Sequence, residues 1–256
     1  DLRMSRGLGD VYKRQDVLLN GGKSESYAIV PDYYNGILPK VVAKVGEKVK
    51  AGSVLMIDKN RPEIKFVSPV SGEVTAVNRG EKRKVLSVVV KPEAQIEYED
   101  FGKKNVASLK REEVKEAILH AGMWPFIKQR PYDIVAAPLD TPRDIFVSAF
   151  YSAPLAPNFD FIVKGQEADF QTGLNALAKL TNGKVYVGVR SGSVVSGMKG
   201  VEIVEVEGPH PAANVGVQIN HIKPVNKGEV VWTVNPADVI VIGRLFNKGV
   251  ADFSRM

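Results

Sequence analysis

From Tyr27 to Pro92, apolar and polar residues alternate in short runs that stop at Gly or Pro every eight to twelve residues or so, the pattern of half-buried strands joined by tight turns. The runs ILPKVVAKV, VLMIDKN, IKFVSPV, GEVTAV and VLSVVVK predict strands, punctuated at Gly46, Gly52, Gly72 and Gly80. Past Phe101 the period changes. Val114, Ala117, Ile118 and Ala121 fall at helical spacing, with Ser108 as the expected cap, Glu112 and Glu113 in the first turns and Gly122 at the end. Strand-like YDIVAAP and RDIFVSAF follow, separated by the turn Pro138 to Pro142. A second helix is expected from Gln166 to Leu180, with Phe170, Leu174, Leu177 and Ala178 on one face. KVYVGV, VEIVEV, EVVWTV and DVIVIG then read as further strands. Strands alternating with helices argue for an α/β domain with a mostly parallel sheet. The polar stretch EYEDFGKKN, between Pro92 and Asn105, reads as the linker between the two grammars.

Composition narrows the class. With 256 residues and 44% apolar content, the chain can build two domains, each with its own core. No stretch approaches the roughly 18 consecutive apolar residues of a membrane-spanning helix. There are no cysteines, which excludes disulfides, thiolate-bound zinc, iron–sulfur clusters and thiol catalysis. The formal charge of +6 is scattered rather than gathered in the dense basic stripe that nucleic-acid binding requires, so no nucleic-acid partner is expected. Residues 1–15 carry four basic and two acidic side chains, and the run MSRGLGDVYKRQ resembles a translated sequencing adapter. We expect them to be a non-native leader, outside the fold.

Candidate chemistry is sparse. The histidines His120, His210 and His221 have no acidic partner at ligand spacing, and no metal site is expected. No Walker lysine loop, Gly-x-Ser-x-Gly or intact Gly-x-Gly-x-x-Gly occurs, and Val189-Arg190-Ser191-Gly192-Ser193 lacks the helix opening of a phosphate cradle. No catalytic residue can be named. The basic turn Arg79, Lys82, Arg83 and Lys84 is the densest charge cluster after residue 15, and reads either as a solvated hairpin tip or as a docking turn for an acidic partner or anionic lipid. In Gly208-Pro209-His210-Pro211, two prolines stiffen the backbone around one imidazole, an architectural turn rather than a catalytic one.

Two resemblances add to this. Val45-Gly46-Glu47-Lys48-Val49-Lys50-Ala51-Gly52 and Ser68-Pro69-Val70-Ser71-Gly72-Glu73-Val74 resemble the two halves of biotinyl and lipoyl domains, which implies a barrel-sandwich hybrid. The hairpin Asp58-Lys59-Asn60-Arg61-Pro62 departs from the carrier pattern, so Lys59 is expected to be a plain turn lysine rather than the seat of a prosthetic arm. Across Asp16 to Arg255, the runs MWPFIKQRPYDIV, ADFQTGLNALAKLT and VEGPHPAANVGVQINHIKPV, with the strand runs above, resemble the A-subunit family of the bacterial sodium-translocating NADH:quinone oxidoreductases. The resemblance implies an α+β, multi-domain chain: an all-β barrel-sandwich domain over 16–100, then a degenerate Rossmann-like α/β domain over 101–256, with the chain stopping short of a further domain. It implies a peripheral subunit on the cytoplasmic face of the bacterial inner membrane, partnered by the other subunits, above all those in the membrane. The complex uses NADH, flavins, iron–sulfur centres and quinone (ubiquinone or another) on those other subunits, while this chain binds no cofactor of its own. Gly208, Pro209, His210, Pro211 and His221 are the expected quinone-proximal or interface residues. Three departures stand out: Tyr151 where an acidic residue is expected, Ala213 for a glycine, and Asn220 for a histidine. Gly122, Trp124, Phe126 and Lys128 resemble the remnant of a flavin site in related NADH-binding subunits, its glycines replaced by bulky side chains that should fill the flavin's volume.

Overall fold

The computed structural model describes residues 17–19, 21–22 and 24–255, so the expected leader lies outside the described residues. The strands are β1 Tyr27–Ile29, β2 Pro39–Val41, β3 Lys48–Val49, β4 Val54–Asp58, β5 Lys65–Val67, β6 Gly72–Arg79 and β7 Val85–Pro92 in the N-terminal half. They form a four-stranded sheet in the order β1-β7-β6-β3 and a three-stranded sheet β2-β4-β5, antiparallel throughout. Leu55, Met56, Ile64, Phe66, Val74, Val88 and Val90 are buried and form the core of this half. This is the barrel-sandwich hybrid expected from the sequence.

The second half contains β8 Ile127–Arg130, β9 Ile134–Val135, β10 Ile145–Ser148, β11 Val185–Val189, β12 Glu202–Glu205 and β13 Val231–Val234. They lie in one sheet, ordered β12-β11-β10-β13-β8-β9. The first four are parallel, and β8 and β9 add an antiparallel edge. The helices are α1 Arg111–His120, α2 Phe159–Val163, α3 Glu167–Leu180, α4 Val215–Ile222 and α5 Pro236–Lys248. Among the parallel strands the chain runs outward from β10 to β12, then returns to the other side of β10 as β13. That reversal is the topological switch point of a doubly wound sheet.

Two expectations change. DVIVIG, read as a strand, lies inside α5. Asn235 caps that helix, its side chain accepting the Ala237 N–H, and Pro236 occupies the first turn. An apolar run of this length suits a buried helix as well as a buried strand, and here Val239, Ile240, Val241 and Ile242 are all buried. The close approach of α5 to α3 depends on small residues: a Cβ on Gly243 would sit 1.7 Å from the Asp169 carbonyl oxygen, and one on Gly173 2.0 Å from that of Val239. Ser108 does not cap α1. It belongs to a short 3-10 turn, and Glu113 accepts the N–H of Lys110, two residues further on.

One buried cluster runs from Ala43, Leu55 and Phe66 through Trp124 and Ile127 to Val239 and Ala251, so the two halves share a core. The polar stretch around Asp100 is pinned rather than loose: Ala51 bridges Tyr98, Asp100 bridges Val250, and Phe101 donates to the Gly249 carbonyl. The turn after β4 supplies the other join. Asp58 is buried, accepts the N–H groups of Leu38 and Asn60, and pairs with Arg61 at 2.8 Å. Arg61 in turn donates to the carbonyls of Gly36 at 2.8 Å and Val135 at 3.3 Å, the latter in β9.

Replacing Arg61 would leave that carboxylate without its cation. Arg61→Ala should destabilise the chain by about 3 kcal/mol in urea denaturation, and Asp58→Asn in the same chain should recover a large part of the loss. An Arg61→Ala loss below about 0.5 kcal/mol would show the pair is dispensable.

Candidate functional site

A cleft of about 790 Å³ opens over the carboxyl ends of β10 and β13, at the switch point of the sheet. Tyr33 and Tyr34 reach it from the N-terminal half. Phe126, Lys128 and Arg130 come from β8 and the turn before it, and Phe150 and Tyr151 from the turn after β10. The first residues of α4 and α5, Asp238 and Arg255 complete it.

Its polar centre is Asp238, in the first turn of α5, where a helix N-terminus favours negative charge. Burial pushes its carboxyl up to about 6, with the neighbouring Arg255 and Lys128 pulling the other way. Arg255 hydrogen-bonds Asp238 and lies over the Phe126 ring, 5.6 Å from its centroid. The Lys128 ammonium sits 5.0 Å from the centroid of Tyr34. Burial holds Lys128 below the ordinary lysine range, partly offset by Asp133 and Asp238. Burial also raises the phenols of Tyr34 and Tyr151, the latter partly offset by the side chain of Asn235, the cap of α5. Arg130 reaches Asp133 at 3.4 Å, while its Nε is buried without a partner. The lining thus holds three cations, one carboxylate and several aromatic faces.

The rim is the proline–histidine turn. His210 is exposed, and its Nδ1 lies 3.2 Å from the Ser152 hydroxyl, which accepts the Ala213 N–H at 3.0 Å. Ser148, at the end of β10, donates to the Ala213 carbonyl at 2.7 Å and accepts from the buried Gln218 at 2.9 Å. These bonds fix the turn to the strand, so Ala213 to Val217 form one wall. Gly208 and Pro209 are exposed before it, and Pro211 follows a cis peptide. His221 is exposed in the last turn of α4 and does not line the cleft.

The four residues of the expected flavin-site remnant do not stay together. Gly122 follows α1 with φ +68°, and a Cβ there would lie 2.4 Å from a Val67 methyl, so it serves the contact between the halves. Trp124 is fully buried, donates to the Ala136 carbonyl at 2.8 Å and packs edge-on against Trp232. Phe126 and Lys128 reach the cleft, lining it without filling it. The loop where a dinucleotide-binding sheet keeps its glycines, Ala149-Phe150-Tyr151-Ser152 after β10, has none, so a flavin or dinucleotide phosphate finds no backbone cradle there. Arg79, Lys82, Arg83 and Lys84 lie at the exposed β6–β7 tip, and Lys59 is exposed beside the locked Asp58. Asp238, Tyr34 and Arg255 are site residues that no sequence motif singled out. The pair Asn235-Pro236, a cap followed by a first-turn proline, is the signal that could have placed Asp238 at a helix start.

Comparison with known proteins agrees with both halves. The family described as NqrA N-terminal barrel-sandwich hybrid domain matches residues 5–93, and that described as NqrA second alpha/beta domain matches 109–251. The chain is similar to the NqrA protein of the Na(+)-translocating NADH-quinone reductase of Hahella chejuensis, at 38% identity over 245 residues, 94% of this chain and 55% of that protein. Its counterpart in Photorhabdus laumondii is 36% identical over 237 residues, 91% and 53% of the two chains. That of Neisseria meningitidis is 37% identical over 246 residues, 94% and 55%. The chain spans about half the length of the curated relatives it matches.

The carboxyl of Asp238 gives a pH prediction. Its folded pKa of about 6 lies above the unfolded value, so the folded state holds the extra proton between about pH 4 and 6. The stability it contributes is present below the unfolded pKa and is lost as pH rises through 6. Asp238→Asn should flatten that decline in melting temperature, measured by differential scanning fluorimetry from pH 4 to 7.5. Parallel curves for the two proteins would refute the assignment.

Proposed function

We propose, because the chain belongs to the NqrA family, that it acts as the NqrA component of a Na+-translocating NADH-quinone reductase. In this reading it is a peripheral subunit on the cytoplasmic face of the inner membrane, bound to the membrane subunits. It supports the transfer of electrons from NADH to quinone that drives Na+ export, while other subunits carry the flavins and iron–sulfur centres. Alone, it neither oxidises NADH nor reduces quinone.

The observation that carries this reading is the switch-point cleft. It keeps the position of a nucleotide site but has no glycine in the turn after β10 to admit a phosphate. In its place stand aromatic faces and hydrogen-bond donors. A quinone head group is planar, with two carbonyl oxygens that only accept. The rings of Tyr34, Phe126, Phe150 and Tyr151 offer walls for the plane. Lys128 and Arg130 offer donors for the oxygens, strengthened by the low dielectric around them. This chain's part is to hold and orient the ring and to exclude water. His210, tied to Ser152, holds the rim rather than the ligand. No helix among the described residues is long and apolar enough to cross a membrane, so in this reading membrane attachment comes from partners or from the surface.

Titration with a short-chain ubiquinone should quench the protein's fluorescence saturably. Lys128→Met should weaken that binding about tenfold without lowering the melting temperature. FMN at micromolar concentration should give neither quenching nor a thermal shift. Saturable FMN binding abolished by the Lys128 change, or NADH–quinone turnover by the purified chain with no flavin added, would overturn the proposal.

A further inference from the structure

The hairpin tip between β6 and β7 holds the densest exposed charge among the described residues, and the cleft makes no use of it. Arg79, Lys82, Arg83 and Lys84 are all exposed, with Glu81 the only carboxylate among them. Lys84 pairs with Asp32 at 2.7 Å, and the Arg79 guanidinium donates to the Arg83 carbonyl at 3.1 Å. Among the described residues, Arg79, Lys82 and Arg83 make no ion pair, so these three charges stand free.

The backbone holds them outward. Lys82 and Arg83 are consecutive non-glycine residues in the left-handed region, at φ 51° and 60°. The Gly80 N–H bonds the Lys84 carbonyl at 2.9 Å, and the Lys84 N–H bonds that of Glu81 at 3.0 Å, closing the turn beneath them. Strain of this kind persists where the surrounding structure enforces it, and it is concentrated at ligand clamps and switch regions.

Two apolar side chains share the tip. Leu86 is 41% exposed and lies 3.3 Å from where a Gly80 Cβ would be. Tyr33 is 78% exposed, in the short 3-10 turn that Asp32 ties to Lys84. Free cations thus stand beside an exposed leucine and an exposed tyrosine. They match a bilayer surface, where phosphate groups meet the cations, a tyrosine sits at headgroup depth and a leucine enters the acyl boundary.

We propose that the β6–β7 tip contacts anionic lipid directly, through Arg79, Lys82 and Arg83 with Leu86 and Tyr33 beside them. An acidic protein surface is the competing occupant, and capture by polyglutamate separates the two. A nucleic acid would call for a longer basic track than one turn supplies. The inference rests on the tip and on Tyr33, which also lines the cleft, and holds whether or not the cleft takes quinone.

Vesicle co-sedimentation of the chain tests it. Vesicles of phosphatidylglycerol and phosphatidylcholine should bind at 20 mM salt, vesicles of phosphatidylcholine alone should not, and 500 mM salt should release the protein. Arg79→Gln with Lys82→Asn and Arg83→Asn removes three charges, and asparagine tolerates the left-handed backbone. At roughly fivefold per cation, the partition coefficient should fall about a hundredfold, with the melting temperature unchanged. Leu86→Ser should weaken binding without altering its salt dependence. Equal binding to neutral vesicles, an undiminished triple variant, or capture by polyglutamate but not by anionic vesicles would each overturn the proposal. If quinone titration fails while the vesicle result holds, the cleft reading falls and this one stands.

Discussion

How the two halves of this molecule meet depends on a buried carboxylate. Asp58 ends β4 inside the protein, where an ionised group without a partner would cost several kcal/mol. Its partner, Arg61, has further donors to satisfy, and they reach carbonyls in both halves, those of Gly36 and Val135. The turn that presents a prosthetic group in carrier domains is thereby turned into a clamp. The Lys59 N–H is engaged with the Leu38 carbonyl at 2.7 Å, and the hairpin is not free to swing. Because the join also carries Trp124 and Gly122 against Val67, the shared core and the Asp58 clamp enforce the same relative position. The cleft needs that agreement, since Tyr33 and Tyr34 on one side and Lys128 on the other come from different halves.

Within the cleft the electrostatics are a balance rather than a simple ion pair. Asp238 gains from the start of α5 and from Arg255 and Lys128, yet burial still dominates its titration. Lys128 is in the mirror situation, since desolvation disfavours its charge and the Tyr34 face and Asp238 compensate in part. A ligand would shift that balance. An acceptor oxygen near Lys128 would favour the ammonium, and through it the Asp238 carboxylate.

How much of this was legible in the sequence differs between the halves. The barrel-sandwich could be read because its short antiparallel strands are set off by Gly and Pro turns and largely alternate, although Leu55 and Met56, adjacent on β4, are both buried. The α/β half was legible in its amphipathic helix α3, expected from Gln166 and observed from Glu167. It was misread at DVIVIG because a fully buried helix and a buried strand share the same continuous apolar signature. β8 was missed within MWPFIKQRP, which mixes apolar, polar and proline residues with no clean period. The cleft itself was illegible for another reason. Its lining comes from segments more than 200 residues apart, from Tyr33 to Arg255, and the sheet's strand order together with the packing of the two halves brings them together. The proline–histidine turn drew attention to the right place but to the wrong atoms. The residues after it, Ala213 to Val217, line the cleft, and its imidazole is engaged with Ser152.

The departures from the family pattern now have physical positions. Tyr151 lines the cleft beside the cap of α5, where an acidic residue would have set a second carboxylate near Asp238. Two such groups in a buried cleft would repel, and one would stay protonated. The phenol avoids that conflict and leaves the lining with a cationic excess. Ala213 sits at the rim with its N–H on Ser152 and its carbonyl accepting from Ser148, a conformation that tolerates a Cβ. Asn220 is exposed on α4, away from the cleft lining, so the loss of a histidine there leaves the chemistry of the cleft unaltered. Of the two changes that touch the cavity, Tyr151 is the one that alters charge, and it moves the cavity toward ligands rich in acceptor oxygens.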